Sequence, residues 1–291
     1  MKQASALIKG FSAFAIFIMA TTYQTQAQSI QTDATHSLPS QNEKSSAPTP
    51  VQLDDIDTDN SQTRIQSKSD LLLRPYTATY QSYYRWGFMS FKITGKRRLE
   101  HLENQTWRMT FEAEASAASV DETSIFNYDG HNIRPIAYRY RASGLVREKD
   151  RTLEFDHTQK SISDKESGIT SGEKWENGLQ DMLSYMQQAS LDLSSGKSEL
   201  DYPVYDKTRI KHYKFEVVGE EKLNTQIGLL NTVKIRQIRR GKRKVNAWLA
   251  IDKDFILVQM EEKEDGDLNY RIQLVDLKLD DQLARSTHAS E

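Results

Sequence analysis

No cysteine occurs among the 291 residues of this chain. That absence excludes disulfides, thiolate metal ligands and thiol nucleophiles. It also excludes lipid attachment at a leader cut, which needs Cys as the first mature residue. A large exported eukaryotic domain usually carries disulfides, so an exported chain without them fits a bacterial periplasm, where a sufficient core stands without cross-links. An excess of one charge sign is absent too: 39 Lys and Arg face 41 Asp and Glu, a formal net charge of −2. Nucleic acid as the main partner would call for a strongly basic domain. Mean hydropathy is −0.70, and no segment is apolar for long enough to form a membrane-spanning helix. Catalytic signatures are also missing. The six histidines (His36, His101, His131, His157, His212 and His288) are scattered. There is no His-x-x-x-His or His-Glu-x-x-His spacing, no Gly-x-Ser-x-Gly elbow and no glycine loop for phosphate. The pattern argues for a non-catalytic protein with no cofactor and no metal site, although spacing is blind to a carboxylate pair assembled from distant strands.

What is present begins with a leader. Lys2 and Lys9 give a positive start, GFSAFAIFIMA (10–20) a short apolar run, and Thr25-Gln26-Ala27 small residues with Ala at the cut. The run is shorter than the about 20 residues that span a bilayer, so residues 1–27 read as a cleavable secretory signal peptide. Its removal takes two lysines and no acid, which moves the charge from −2 to −4. The expected location is the periplasm, with an uncleaved leader serving as an inner-membrane anchor as the alternative. Residues 28–70 are rich in Ser, Thr, Gln, Asp and Pro without apolar period. They cannot bury enough surface to offset chain entropy and read as a disordered tether. Residues 281–291 read as a flexible tail.

Residues 71–280 carry a β pattern. Tyr76, Ala78 and Tyr80 alternate with Thr77, Thr79 and Gln81; Met89, Phe91 and Ile93 with Ser90, Lys92 and Thr94. The clearest strand sets Trp107, Met109, Phe111, Ala113 and Ala115 against polar neighbours, and Ile136, Tyr138 and Tyr140 repeat the alternation. Period two puts one set in a core and the other in water. Further strands are predicted over 151–156, 212–218, 231–240, 244–251, 255–263 and 268–279, many bounded by turn signals such as Asp129-Gly130, Gly241-Lys242 and Asp265-Gly266-Asp267. One segment departs from this. Leu179, Met182, Leu183, Met186 and Ala189 fall at helical spacing, which predicts an amphipathic helix over 177–193, capped by Asn177 and stopped by Ser194-Ser195-Gly196. The expected fold is mainly β: a curved antiparallel sheet, a half-barrel meander, with one covering helix.

The order of these features resembles the bacterial exported family of unknown function DUF3108. The likeness rests on a Tyr-rich opening strand (PYTATYQSYYRWGFMSFKITG), Asp-x-x-Ser at Asp181-Met182-Leu183-Ser184, the strand IGLLNTVKIRQI, Trp248-Leu249-Ala250-Ile251-Asp252, and FILVQMEEKEDGD. It covers about 71–279. One departure is Leu257 before Val258, where the family often has proline. The family supplies no catalytic residue to carry over. By pattern it is similar to half-barrel periplasmic domains of the lipoprotein-carrier type, which implies an acyl-binding cavity between sheet and helix.

Three groups are candidate sites. Tyr76, Tyr80, Met89, Phe91, Trp107, Met109, Phe111, Tyr138 and Tyr140, with Met182 and Met186 on the helix, either line a lipid cavity or pack a solid core. Arg236, Arg239, Arg240, Lys242, Arg243 and Lys244 put six cations in nine residues; Arg97 and Arg98 can add to them. They either hold an anionic head group or guard a sheet edge against aggregation. Asp181 and Ser184, one turn apart, either sit at a cavity mouth or anchor the helix. The expectation is a monomeric binding protein for an amphiphilic envelope molecule (a lipid, a glycolipid or an acyl chain), with peripheral membrane contact. An adaptor in an envelope protein complex and an enzyme acting on envelope polymer are the alternatives.

Overall fold

In the computed structural model the described residues are 73–280, without 87–88, 116–117, 145, 147 and 172–174, and without the side chains of 83–91. The leader, the tether and the tail expected from the sequence lie outside them. Among the described residues, fourteen strands are formed. The first eight are β1 (Tyr76–Trp86), β2 (Met89–His101), β3 (Thr106–Ala115), β4 (Ala118–Tyr128), β5 (Ile133–Gly144), β6 (Arg151–Asp156), β7 (Ser161–Asp164) and β8 (Ile169–Ser171). The last six are β9 (Glu199–Asp206), β10 (Arg209–Thr225), β11 (Gly228–Ile238), β12 (Arg243–Ala250), β13 (Ile256–Glu264) and β14 (Asp267–Leu279). Between β8 and β9 lies the α-helix of the described residues, α1 (Ser184–Ser194).

All strands join one antiparallel sheet, ordered β8-β7-β6-β5-β4-β3-β2-β1-β14-β13-β12-β11-β10-β9. Every pairing but one joins sequence neighbours. The exception is β1 with β14, which sets Tyr76 opposite Leu279 and fuses two meanders at mid-sheet. The outermost strands, β8 and β9, do not pair with each other, so the sheet is not closed into a barrel. The chain passes from one outer edge to the other through α1. That helix packs against β5, β9 and β13. Ten strand spacings separate β5 from β9, about 48 Å if flat at ~4.8 Å each, whereas a helix is about 10–12 Å wide. One helix can touch both only if the sheet curls around it.

Alternation explains most of the core. Tyr76, Ala78, Tyr80, Trp107, Met109, Phe111, Ala113, Tyr138 and Tyr140 are buried, with exposed or half-buried residues between them. Ile136, expected inward with Tyr138 and Tyr140, is exposed. Phe126 pairs with Pro135 and Ile125 with Ala137, so Ile136 is the extra residue of a bulge and the inward parity resets around it. Gly95 serves packing: a Cβ there would meet the Phe111 ring at 3.0 Å. At the turn into β13, Asp254 and Phe255 both take positive φ (55° and 52°), a strained pair for non-glycine residues. It drives the Phe255 side chain into the core and aims its carbonyl at α1, where the Ser190 hydroxyl donates to it at 2.8 Å.

The helix differs from the spacing prediction at its start. Residues 177–183 form turns and a parallel bridge between Gln180 and Val204, and Asn177 does not cap. Asp181 does. Its Oδ1 accepts from the Leu183 and Ser184 amides at 2.8 Å each, while Ser184 Oγ accepts from the Asp181 amide at 2.9 Å. This is a reciprocal capping pair. Asp181 Oδ2 accepts from the Ser124 hydroxyl of β4 at 2.5 Å, so the cap is also the tie to the sheet. Nor does α1 keep a face in water: all eleven residues are buried. Its polar side chains face strands that supply partners. Gln187 accepts from the Tyr76 hydroxyl, Gln188 accepts from the Ile133 amide, and Asp192 accepts from the Tyr202 hydroxyl and pairs with Lys197.

Asp181→Ala removes the cap and strands the Ser124 hydroxyl. Unfolding free energy from denaturant titration is expected to fall by about 2–4 kcal/mol. Asp181→Asn, which keeps an acceptor oxygen, should lose less than half of that.

Candidate functional site

The hollow holding α1 is the candidate site. Neighbouring inward residues line up across the strands in the row Ala78, Arg97, Phe111, Glu122, Tyr140, Arg151. This row places a cation, an acid and a second cation in one buried band.

Arg97 points inward from β2 because Lys96 and Arg98 take the outer face; it is only 6% exposed. Its Nε and Nη2 donate to the Met109 thioether at 3.2 and 2.9 Å, and Nη2 also donates to the Leu183 carbonyl at 3.2 Å. Beside it is a cavity of about 20 Å³ walled by Phe111, Met182, Met186, Leu257 and Met260, room for about one water. Arg97 was grouped with the cationic hairpin by sequence; the strand's parity sends it to the core instead.

Glu122 lies two strands away on β4, with Phe111 between, and is fully buried. Its Oε2 accepts from the Tyr138 hydroxyl at 2.6 Å, and its Oε1 has no partner among the described residues. Desolvation pushes its pKa up to about 8; the Tyr138 hydrogen bond and Arg151 oppose the rise, and Asp181 and Asp121 add to it. Burial likewise raises Asp181, offset by hydrogen bonds from Ser124, Ser184 and Leu183. At pH 7 Glu122 is mostly a neutral acid, so it offers Arg97 no counter-charge. The Tyr140 hydroxyl has no partner among the described residues either. Arg151 stands over the Tyr140 ring, 5.3 Å from its centroid. It borders a recess of about 400 Å³ that also includes Glu148, Asp164 and Lys207, where Lys207 and Glu148 pair at 2.7 Å.

The residues expected to line a cavity converge here. Tyr76, Tyr80, Trp107, Met109, Phe111, Tyr138, Tyr140, Met182 and Met186 are all buried in one core. The side chains of Met89 and Phe91 lie outside the described ones. The hydroxyls of Tyr76, Tyr80 and Tyr138 donate to Gln187, the Leu257 carbonyl and Glu122. Asp181 and Ser184 hold the helix start, as above.

The cationic hairpin is elsewhere and is largely neutralised. Arg236 pairs with Glu216 at 3.5 Å, Lys242 with Asp265 at 3.1 Å, and Arg243 with Glu264 at 3.3 Å. Arg239 and Arg243 flank the buried Glu262. Arg240 and Lys244 form no ion pair among the described residues. Nor is this an edge hairpin: β11 and β12 have neighbours on both sides. Edge protection is therefore not what these cations do.

Sequence reasoning missed β4, and with it Glu122 and Ser124. Val120, Phe126 and Tyr128 face inward at period two, but Glu122 and Ser124 break the apolar run. A search for period two that tolerated two polar members would have found it. Among the described residues, no three of His, Asp and Glu are grouped to hold a metal ion.

Glu122 sets a pH dependence. Its folded pKa lies above the unfolded value of about 4.3, so the folded state binds the extra proton, and stability falls as pH rises from about 4.5 to 8. The slope from this group is at most about 1.4 kcal/mol per pH unit. Glu122→Gln should flatten the profile and be the more stable protein at pH 8.5, measured by urea titration from pH 5 to 9.

Residues 75–273 match the family described as protein of unknown function DUF3108. No curated protein matches the chain. Among solved structures, a β-barrel-like DUF1849 protein from Brucella abortus is similar at 14% identity and TM-score 0.51, over 72% of this chain and 99% of its own. That likeness concerns the fold. A Bacteroides fragilis protein described as exported, with a YmcC-like fold, matches at 11% identity and TM-score 0.30, over 71% of this chain and 96% of its own. A domain described as outer-membrane lipoprotein-sorting, from Vibrio parahaemolyticus, matches at 11% and 0.22, over 72% and 86%. No helix among the described residues is long and apolar enough to cross a membrane. The Tyr-rich β1, the Asp-x-x-Ser cap and the Trp248 strand all fall inside the matched span, and the chain belongs to the DUF3108 family.

Proposed function

We propose that this chain is a non-catalytic, periplasmic binding protein for an amphiphilic molecule of the cell envelope, taken into the hollow of the curled sheet beside α1. One observation carries the reading: the wall of the hollow and its filling differ in character. The wall is aromatic, aliphatic and methionine-rich, whereas α1 brings Gln187, Gln188, Ser190 and Asp192 beside its own Tyr185, Met186, Leu191 and Leu193. Hydrogen bonds from these polar groups to strands on both wings hold α1 together with its own apolar residues, and a shift of the helix would uncover the apolar wall. The apolar wall it uncovers would gain about 0.8 kcal/mol per methylene of a chain that replaced it. The leader and the tether support delivery outside the cytoplasm and reach from a membrane. No cofactor is needed for this role, and a monomer suffices.

A second reading, an adaptor with a solid core, is favoured by the small size of the remaining cavity, about 20 Å³, and by the β10–β11 hairpin, which exposes Val218 and Leu229 (64% for the latter).

Native mass spectrometry of the protein purified from its own cells, followed by organic extraction, separates the two. One amphiphile per chain is the expected result. A bare chain that also takes up nothing from vesicles of the cell's own envelope lipids would end the binding reading in favour of the adaptor.

A further inference from the structure

We infer that Arg97 is the anchor for a negatively charged head group, so that the molecule bound in the hollow is an anionic amphiphile, its carboxylate or phosphate on the guanidinium and its chain along the methionines. This rests on the binding reading above and specifies its ligand.

A guanidinium cannot shed its charge in a protein, and a buried charge is costly unless paired. Arg97 is buried, yet no carboxylate of the described residues lies within 4.0 Å of it. Its acceptors are the Met109 thioether, which is weak, and the Leu183 carbonyl. The phenol oxygen of Tyr80 is a further hydrogen-bonding partner, and it too is uncharged. The one acid in its cross-strand row, Glu122, lies two strands away, beyond Phe111, and is tied to Tyr138. Arg151, the other buried arginine, differs: it reaches Glu148 at 3.6 Å. Arg97 thus has the environment of an anion site without the anion.

The surroundings point to what carries the charge. Four of the chain's seven methionines, Met109, Met182, Met186 and Met260, touch Arg97 or wall its cavity. Unbranched thioethers rearrange readily around an irregular apolar body. A small polar anion would leave that wall without a role, and a neutral lipid would leave the guanidinium unmatched. The geometry also couples binding to the helix. Nη2 is shared with the carbonyl of Leu183, in the turn that opens α1. An oxyanion forms a stronger, charge-assisted bond to the same donor, so it competes with the contact that keeps this turn against the sheet.

The test uses the full exported chain after organic extraction, with four probes below their micellar concentrations: dodecanoate, dodecyl phosphate, dodecanol and dodecyltrimethylammonium. Binding is read by displacement of a fluorescent fatty-acid analogue and checked by native mass spectrometry. The two anions should bind about tenfold or more tightly than the alcohol, and the cation worst. Arg97→Met should reduce the anions to the level of the alcohol while leaving the alcohol itself within about twofold. Arg97→Lys should retain part of the preference. Arg97→Met should also melt no lower than the parent when ligand-free, since it removes an unpaired buried charge. Equal affinity of the parent for anion and alcohol, or an anion preference that survives in Arg97→Met, overturns the anchor and leaves amphiphile binding standing. Failure of every probe to bind overturns the binding reading beneath it. If Arg97→Met does not fold, the head-group series on the parent protein decides alone.

Discussion

One short helix has to fill a hollow made by a sheet that carries it from one outer edge to the other, and the rest of the fold answers to that constraint. The connection between β8 and β9 can cross the concave side only as a segment that satisfies its own backbone, which an α-helix does. Eleven residues give about 16 Å of filling. Its place is set less by grease than by direction. Tyr76 on β1, Ser124 on β4, Ile133 on β5, Tyr202 on β9 and the Phe255 carbonyl before β13 each fix one polar group of α1 or its cap. Hydrogen bonds fail within a fraction of an ångström, so these contacts specify one rotation and one height for the helix where apolar packing alone would allow several.

The buried charges follow from the same geometry. Because β2, β3 and β4 are neighbours, their inward residues form a row in which Phe111 holds the place between Arg97 and Glu122. Glu122 responds to burial by keeping its proton. Arg97 has no such escape. Its positive charge consequently faces soft, polarisable side chains. At the far end of the row, Arg151 sits at a recess of mixed charge where its counter-ion is at hand.

The sheet was readable wherever one face was consistently apolar, as in β1, β3 and β14. Where parity broke, reading by period two failed for definite reasons. Ile136 is a bulge residue, and a bulge has no signature in a single run of alternation. The strand β4 carries an acid and a serine on its inner face, which makes it look like a loop. For the helix, apolar spacing captured the residues that touch the sheet but set the start too early, since Leu179 and Gln180 are buried by a bridge to β9 and not by a helical turn. The polar face of α1 looked solvent-bound because partners for Gln187, Gln188 and Asp192 come from strands more than a hundred, about fifty-five and ten residues away. Arg97 read as one more surface cation beside Arg98; only the register of β2 tells the two apart.

The pairing of β1 with β14 also governs how the fold can be assembled. All other strand pairs close over short hairpins and form quickly, but this one waits for residues 76 and 279 to meet. Until the last strand arrives, β1 presents eleven residues of unpaired backbone along an aromatic-rich edge. The half-made protein is thus a template for strands from other copies, and the safety of the finished molecule lies in its C-terminal strand.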